Sequence, residues 1–161
     1  MKNGFSLVET MIYIAILLSV LILFVNLLIP ISNSYITIRM IRKLDSAAVS
    51  SMDRMTREIR NASSINIASI LGVEPSKLVL DNSDATQSSF PIIDNQLHIE
   101  IDGVDNGSLL PSGITVPSLN IRRVLTGHSA GVRIEMTLED RGGSFTRDQK
   151  YYSTVILRGS Y

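Results

Sequence analysis

The segment Met11–Ile31 reads MIYIAILLSVLILFVNLLIPI and contains no charged side chain. As an α-helix it would rise about 31 Å, which matches the hydrocarbon thickness of a bilayer. Across the wider stretch 5–38, the only ionisable side chains are those of Glu9, Tyr13 and Tyr35. The sequence therefore predicts a membrane-spanning helix, with a buried helix of a soluble protein as the alternative.

A cleaved secretory signal peptide would need a basic start, an apolar core of about 7–15 residues and small residues at a cleavage site. The chain has one basic residue, Lys2, before an apolar run that is too long, and no Ala-x-Ala pattern follows that run. The segment is therefore predicted to stay attached to the chain.

The composition limits the remaining functions. The chain has 161 residues, enough for one globular domain, with 15 basic residues, 15 acidic residues and no cysteine. The balanced charge does not predict nucleic-acid binding. Without cysteine there is no disulfide scaffold, no catalytic thiolate and no Cys-ligated metal.

A second helical pattern follows the apolar segment. Pro30 predicts a kink or local melting of the helix near Asn26. Apolar residues then recur at spacings of three and four, which predicts an amphipathic helix with one buried face. These residues are Ile38, Ile41, Leu44, Ala48, Met52, Met55, Ile59 and Ala62. The helix is predicted to end between Asn61 and Ser64.

Beyond Ser64 the pattern is typical of half-buried antiparallel strands separated by Asp, Asn and Gly turns. The predicted strands are Lys77–Asp81, Ser89–Ile93, Gln96–Ile101, Leu119–Leu125, Val132–Leu138 and Tyr151–Leu157. The predicted fold class is therefore α+β: a long N-terminal helix, half transmembrane and half amphipathic, packed on a small antiparallel β-sheet domain.

Few residues suggest chemistry. His98 and His128 are the only histidines, and both are predicted to be solvated because neither has a partner at metal or triad spacing. The acidic segment Asp102–Gly107 is predicted to form hairpin turns; a calcium loop is the alternative, although the EF-hand spacing and closing Glu are missing. We predict no catalytic residue, no metal site and no cofactor, and thus no enzyme.

The residues around Glu9 carry a family resemblance. The segment Lys2–Glu9, KNGFSLVE, resembles the processing motif of type IV prepilins, and the long apolar helix that follows strengthens the match. The resemblance implies that a membrane peptidase cuts after Gly4 on the cytoplasmic side. It also implies that the new N-terminal residue, Phe5, is N-methylated and that Glu9 acts in assembly.

The implied chemistry is physically consistent. Cleavage after Gly4 would leave a cationic amine on Phe5, at the apolar end of a helix. A carboxylate in lipid costs up to a few kcal/mol. Pairing of Glu9 with the Phe5 amine of a neighbouring subunit would join two costly groups in one charge-assisted hydrogen bond. The alternative is that Glu9 reaches back to the headgroups.

The membrane orientation contains a conflict. Arg39, Arg42 and Lys43 follow the apolar run, whereas only Lys2 precedes it. The positive-inside tendency alone would put the C-terminal part in the cytoplasm. The processing motif requires the opposite orientation, because the peptidase acts on the cytoplasmic side, and we give it precedence.

The rest of the chain extends the resemblance to minor pilins and to the J-type pseudopilins of type II secretion. The segment Met52–Ala62 and the ending Leu157-Arg158 are similar to theirs. The implied organisation is a leader at 1–4, an assembly helix at 5–35 and an exported domain at 36–161. Within that domain, an amphipathic helix covers about 36–62 and a β-region about 76–158.

The implied function is that of a structural subunit, minor rather than major, of a type IV pilus, a type II secretion pseudopilus or a competence filament. The expected partners are other pilin or pseudopilin subunits, the prepilin peptidase and methyltransferase, the assembly platform and membrane lipid. The expected location is the bacterial inner membrane, with the C-terminal domain outside the cytoplasm, and then a periplasmic or extracellular filament.

Two other function classes remain open from the sequence. The first is a single-pass membrane protein whose exported domain binds a ligand and never polymerises. The second is a membrane-anchored enzyme, for which the residues named above offer no catalytic group. Loss of residues 1–4 from the mature chain would separate the filament subunit from the non-polymerising binding protein.

Overall fold

A computed structural model describes residues 6–126, 129–142 and 145–157. The chain divides into two compact units, Met1–Arg39 and Met40–Tyr161. The element order is one α-helix followed by antiparallel β-strands, so the predicted α+β class is confirmed.

Helix α1 spans Leu7–Asn61 and is unbroken. The carbonyl of Ser6 accepts the amides of Glu9 and Thr10 at 3.0 and 3.2 Å, which closes the first turn. Pro30 lies inside the helix, and the predicted local melting near Asn26 is absent. A single proline removes one backbone donor, and the remaining helical hydrogen bonds keep the segment helical. The kink near Asn26 stays a prediction.

The first sheet of Met40–Tyr161 is built from short strands: β1 Ala62–Ile65, β2 Leu78–Asn82, β3 Gln87–Phe90, β4 Ile92–Ile93, β5 Gln96–Ile101 and β6 Val104–Ser108. Strands β1, β2 and β3 pair in sequence. Strands β3 and β4 both pair with β5 in the same register. They are separated at Pro91, because proline has no amide to donate to the neighbouring strand. Strand β6 also pairs with β5.

The second sheet is a meander of three long strands: β7 Ile114–Thr126, β8 Ser129–Gly142 and β9 Phe145–Ile156. Backbone hydrogen bonds connect it to the segments before it. The amide of Gly72 donates to the Ile121 carbonyl at 2.8 Å, and that of Val116 donates to the Asn95 carbonyl at 2.8 Å.

The core of Met40–Tyr161 lies between the second half of α1 and the two sheets. Its fully buried side chains include Leu44, Met55 and Ile59 of α1 and Phe90 and Ile134 of the sheets. Residues 44, 48, 55 and 59 confirm the predicted apolar stripe, as does Ala62 just after the helix. Ile38 was predicted to belong to this buried stripe but lies outside the core, because it is 51% exposed and belongs to the unit Met1–Arg39.

The predicted strands are present, and the three that form the second sheet are longer than predicted. Gln96–Ile101 has the predicted bounds, whereas the predicted strand Ser89–Ile93 is divided at Pro91 into β3 and β4. Strands β1 and β6 were not predicted. Strand β6 contains Asp105-Asn106-Gly107, which the sequence indicated as a turn.

Candidate functional site

The first part of the candidate functional site is the stretch of helix α1 that lies in the unit Met1–Arg39. Its large apolar side chains are exposed; Leu17 and Phe24, for example, are 68% and 62% exposed. This helix is long and apolar enough to cross a membrane, and the most apolar eighteen-residue window has none of its residues buried. Exposure of this extent is compatible with a single-pass membrane anchor.

Two hydroxyl groups within this segment, those of Thr10 and Ser19, are satisfied inside the helix. Thr10 donates to the Leu7 carbonyl at 2.8 Å, and Ser19 donates to the Ala15 carbonyl at 2.9 Å. Hydroxyls that bond to the preceding turn need no water. The segment can therefore enter an apolar environment without leaving these donors unpaired.

Glu9 lies in the first turn of α1 and is exposed. A carboxylate in the first turn is stabilised by the helix dipole, because the free backbone amides there carry partial positive charge. In the described part of the chain, no hydrogen bond or ion pair of its carboxylate is found. Glu9 is thus an accessible acceptor at one end of an apolar helix. The predicted processing residues Gly4 and Phe5 lie outside the described residues.

The basic residues that follow the apolar segment have different surroundings. Arg39 and Arg42 are exposed. Lys43 belongs to the unit Met40–Tyr161; its Nζ lies 3.1 Å from Oδ1 of Asp140, a carboxylate with only 6% of its side chain exposed. One of the three cations in the orientation conflict therefore has a structural role in the domain.

His98 has a partner that the sequence did not predict. Its Nδ1 lies 2.9 Å from Oδ2 of Asp105, and only 17% of its side chain is exposed. The prediction of a solvated His98 is therefore wrong, because strands β5 and β6 bring the two residues together. The backbone amide of Gly107 and the imidazole both hydrogen bond to Asp105 and hold the pKa of that carboxyl below its usual value. His128 lies outside the described residues.

Among the described residues, the contact between His98 and Asp105 is the one that most resembles part of a catalytic triad. Ser108 is the cross-strand neighbour of His98. However, the Ser108 hydroxyl donates to the Leu110 carbonyl and accepts the Leu110 amide, both at 3.1 Å. A nucleophile would need its hydroxyl directed to the imidazole, so Ser108, His98 and Asp105 do not form a triad here.

The acidic segment Asp102–Gly107 forms one hairpin turn followed by strand β6. Asp102 and Gly103 have φ values of 52° and 78° and make the turn between β5 and β6. Asp102 Oδ1 accepts the Gln87 amide at 2.7 Å. The carboxylates at 102 and 105 are thus used by the fold, and no group of three or more metal-ligating side chains occurs in residues 6–126, 129–142 and 145–157.

Comparison of the chain with protein-family models, with curated proteins and with solved structures finds no match.

Proposed function

We propose that this chain is a structural subunit, minor rather than major, of a type IV pilin-like filament: a pilus, a type II secretion pseudopilus or a competence filament. The observation that supports this most is the motif GFSLVE at residues 4–9, whose last three residues begin an exposed apolar helix. The proposal includes cleavage after Gly4, N-methylation of Phe5 and assembly through the N-terminal helix.

The exposed apolar segment needs a non-aqueous partner, because contiguous apolar surface of this size is unstable in water. A bilayer provides one such environment, and a bundle of identical or related helices provides another. The helix bundle also provides Glu9 with a cationic partner. In a bundle its carboxylate meets the N-terminal amine of a neighbouring helix, whereas lipid offers it no cation.

The same proposal gives the N-terminal helix two successive environments, first the membrane and then the filament core. Before assembly, α1 anchors the chain in the inner membrane with residues 36–161 on the outer side. During assembly the helix leaves lipid for the filament core, and the Glu9 carboxylate favours the register in which it meets an amine. The proposed partners are other pilin or pseudopilin subunits, the prepilin peptidase and methyltransferase, and the assembly platform.

The first experiment is intact-mass measurement of the chain recovered from a bacterium that contains a prepilin peptidase. The proposal expects loss of residues 1–4 and gain of one methyl group. Gly4→Val should leave the chain at full length in the membrane, because a side chain at the scissile bond obstructs the extended substrate. The control is Ala68→Val, at an exposed turn position far from the motif in sequence, which should be processed normally.

The second candidate function is a single-pass membrane protein with an exported binding domain that does not polymerise. The exposed helix alone is equally compatible with it. A full-length, unmethylated wild-type chain would favour this candidate, and so would normal cleavage of Gly4→Val.

A further inference from the structure

Two arginines face each other on the second sheet. The register of β7 and β8 places Arg122 directly opposite Arg133, and both are exposed. Like charges at directly opposed positions destabilise a sheet. Arg133 is partly offset by Glu135, whose Oε1 lies 3.0 Å from its Nε, whereas Arg122 Nε donates to the neutral Asn120 side chain at 3.2 Å. This position therefore retains uncompensated positive charge.

The neighbouring strand adds exposed apolar surface to the same face. Thr154 of β9 lies opposite Arg133, Tyr152 lies opposite Glu135, and Ile156 lies opposite Gly131. Tyr152 and Ile156 are 60% and 50% exposed. We call this surface the arginine patch; its residues are Arg122, Arg133, Glu135, Tyr152, Thr154 and Ile156. Arginine and tyrosine beside apolar groups are the residue types enriched at protein interfaces.

The first sheet has the opposite charge. Residues 62–108 contain seven acidic residues and one lysine. Four of the carboxylates, Asp81, Asp84, Asp102 and Asp105, lie at one end of this sheet, where β2 and β5 end and where β3 and β6 begin. We call this surface the acidic end.

The acidic end is held together by Gln87, which bonds to two of its members. The Gln87 side chain donates to Asp81 Oδ1 at 3.3 Å, and its backbone amide donates to Asp102 Oδ1 at 2.7 Å. Hydrogen bonds lower the pKa of Asp81, chiefly that from Asn66, and the pKa of Asp84, chiefly that from Thr86. These carboxylates are therefore charged at neutral pH.

We propose that the arginine patch of one copy of this chain binds the acidic end of a second copy. The charges are complementary: two guanidinium groups with one carboxylate, that of Glu135, on one surface, and clustered carboxylates on the other. Carboxylates between Arg122 and Arg133 would form bidentate hydrogen bonds and relieve the repulsion between the arginines. Tyr152 and Ile156 would be covered by the same contact.

The contact is head-to-tail, because it joins two different surfaces of the same chain. A contact of this kind leaves one free surface on each end of a pair, so it continues into a ring or an open chain. Its place between subunits of a filament rests on the proposed function, whereas the contact itself involves only residues of the unit Met40–Tyr161.

The absence of cysteine from the chain makes disulfide cross-linking a specific test. Ser83 is exposed in the turn between β2 and β3, at the acidic end. Thr154→Cys and Ser83→Cys are placed in separate copies of the full chain, which carry different tags and are co-expressed in one membrane. Mild oxidation should join the Thr154→Cys copy to the Ser83→Cys copy. A Thr154→Cys copy joined mainly to another Thr154→Cys copy, or no cross-link at all, would overturn the proposal.

Charge reversal tests the arginines without loss of the fold. Arg122→Glu replaces a repulsive cross-strand pair with an attractive one, so the thermal midpoint should stay the same or rise. The cross-link yield should nevertheless fall about tenfold, because a glutamate then faces the acidic end. Arg122→Lys retains the charge and is the matched control; it should cross-link close to wild type. A wild-type yield for Arg122→Glu would contradict the role of charge.

The two proposals fail in distinguishable ways, because cleavage after Gly4 is measured by mass in the same samples. Normal processing without a cross-link between copies rejects the contact and leaves the filament proposal intact. A specific cross-link in an unprocessed chain supports the contact and rejects the filament proposal.

Discussion

Tyr151 on β9 donates its hydroxyl hydrogen to Oδ1 of Asp45 on α1 at 2.7 Å, across 106 positions of the sequence. Burial, and then the hydrogen bond and charge of Asp45, raise the pKa of Tyr151 well above its usual value of 10.0. The protonated hydroxyl is therefore part of the folded state, and it connects the helix to the second sheet.

Tyr151→Phe should lower the free energy of unfolding by about 1–2 kcal/mol, because it leaves a half-buried carboxylate without its donor. Urea unfolding of the isolated fragment 36–161 would measure this difference. Tyr152→Phe is the matched control, since Tyr152 is 60% exposed on the opposite face of the same strand; its hydroxyl should contribute little. Equal effects of the two substitutions would contradict the role given to Asp45.

The fragment 36–161 should be soluble and folded. The unit Met40–Tyr161 has its own core, whereas the exposed apolar segment that requires lipid or other helices lies before it. Circular dichroism with both helix and strand contributions and a cooperative thermal transition would confirm this. A fragment that aggregates under several solution conditions would show that the core needs residues before position 36 or a partner subunit.

Lys43→Met should destabilise the domain by about 1–3 kcal/mol, because it leaves the carboxylate of Asp140 buried without its cation. The double variant Lys43→Met with Asp140→Leu should recover most of this loss, since both charges are then removed. Arg57→Met is the control: Arg57 and Asp53 are both well exposed, and such pairs contribute little. A double variant no more stable than Lys43→Met would exclude the unpaired charge as the cause.

Stability should fall as the solution becomes acidic, in part because of Glu100. The Ser89 hydroxyl at 2.6 Å, and then Lys77 at 3.3 Å, hold the pKa of Glu100 below its usual value of 4.5. A lowered pKa contributes stability that is present above the unfolded-state value and is lost as the pH falls through the folded-state value.

Glu100→Gln should therefore flatten the loss of stability between neutral pH and about pH 3, as measured by urea midpoints. Ser89→Ala should reduce the same contribution, because it removes the largest cause of the lowered pKa. If Glu100→Gln and wild type lose stability in parallel over this range, other carboxyl groups account for the acid sensitivity.

The proposed filament function predicts that Glu9→Ala leaves membrane insertion and cleavage after Gly4 intact, because a costly carboxylate is removed from an apolar segment. Incorporation into sheared filaments should decrease, because an amine in the filament core would lose its counter-charge. Glu9→Gln separates charge from hydrogen bonding: a charge pair predicts a defect in both variants, whereas a packing role predicts that Gln is tolerated.

The same experiment has a defined negative result. Membrane level and cleavage are measured in the same cells, so a chain that is simply degraded is recognised as such. If Glu9→Ala is processed and incorporated like wild type, Glu9 does not pair with a neighbouring amine, or the subunit occupies the filament tip, where no neighbour lies above it.

The sequence predicted the elements whose patterns are local. The apolar segment, the stripe through Leu44, Met55 and Ile59 and the strand Gln96–Ile101 are each visible within one element. It missed β6, because Asp105-Asn106-Gly107 has turn composition; those residues become a strand only because β5 offers an unpaired edge. Cross-strand pairing is a tertiary effect that overrides local preference.

The candidate site was predictable only in part for the same reason. Glu9 was identified because an isolated carboxylate in an apolar run is visible in the sequence. The contact between His98 and Asp105, and the opposition of Arg122 and Arg133, depend on strand register. No spacing along the chain indicates register when the strands are separated by turns of variable length.

The bond between Asp45 and Tyr151 also has a kinetic consequence. Contacts between residues so distant in sequence raise the contact order, which slows folding relative to helical proteins. Until β9 has paired with β8, the apolar stripe of α1 that it helps to cover remains accessible to other chains. We therefore expect newly synthesised chains to pass through an aggregation-prone interval that ends when β9 docks, and in that interval a chaperone would have the most effect.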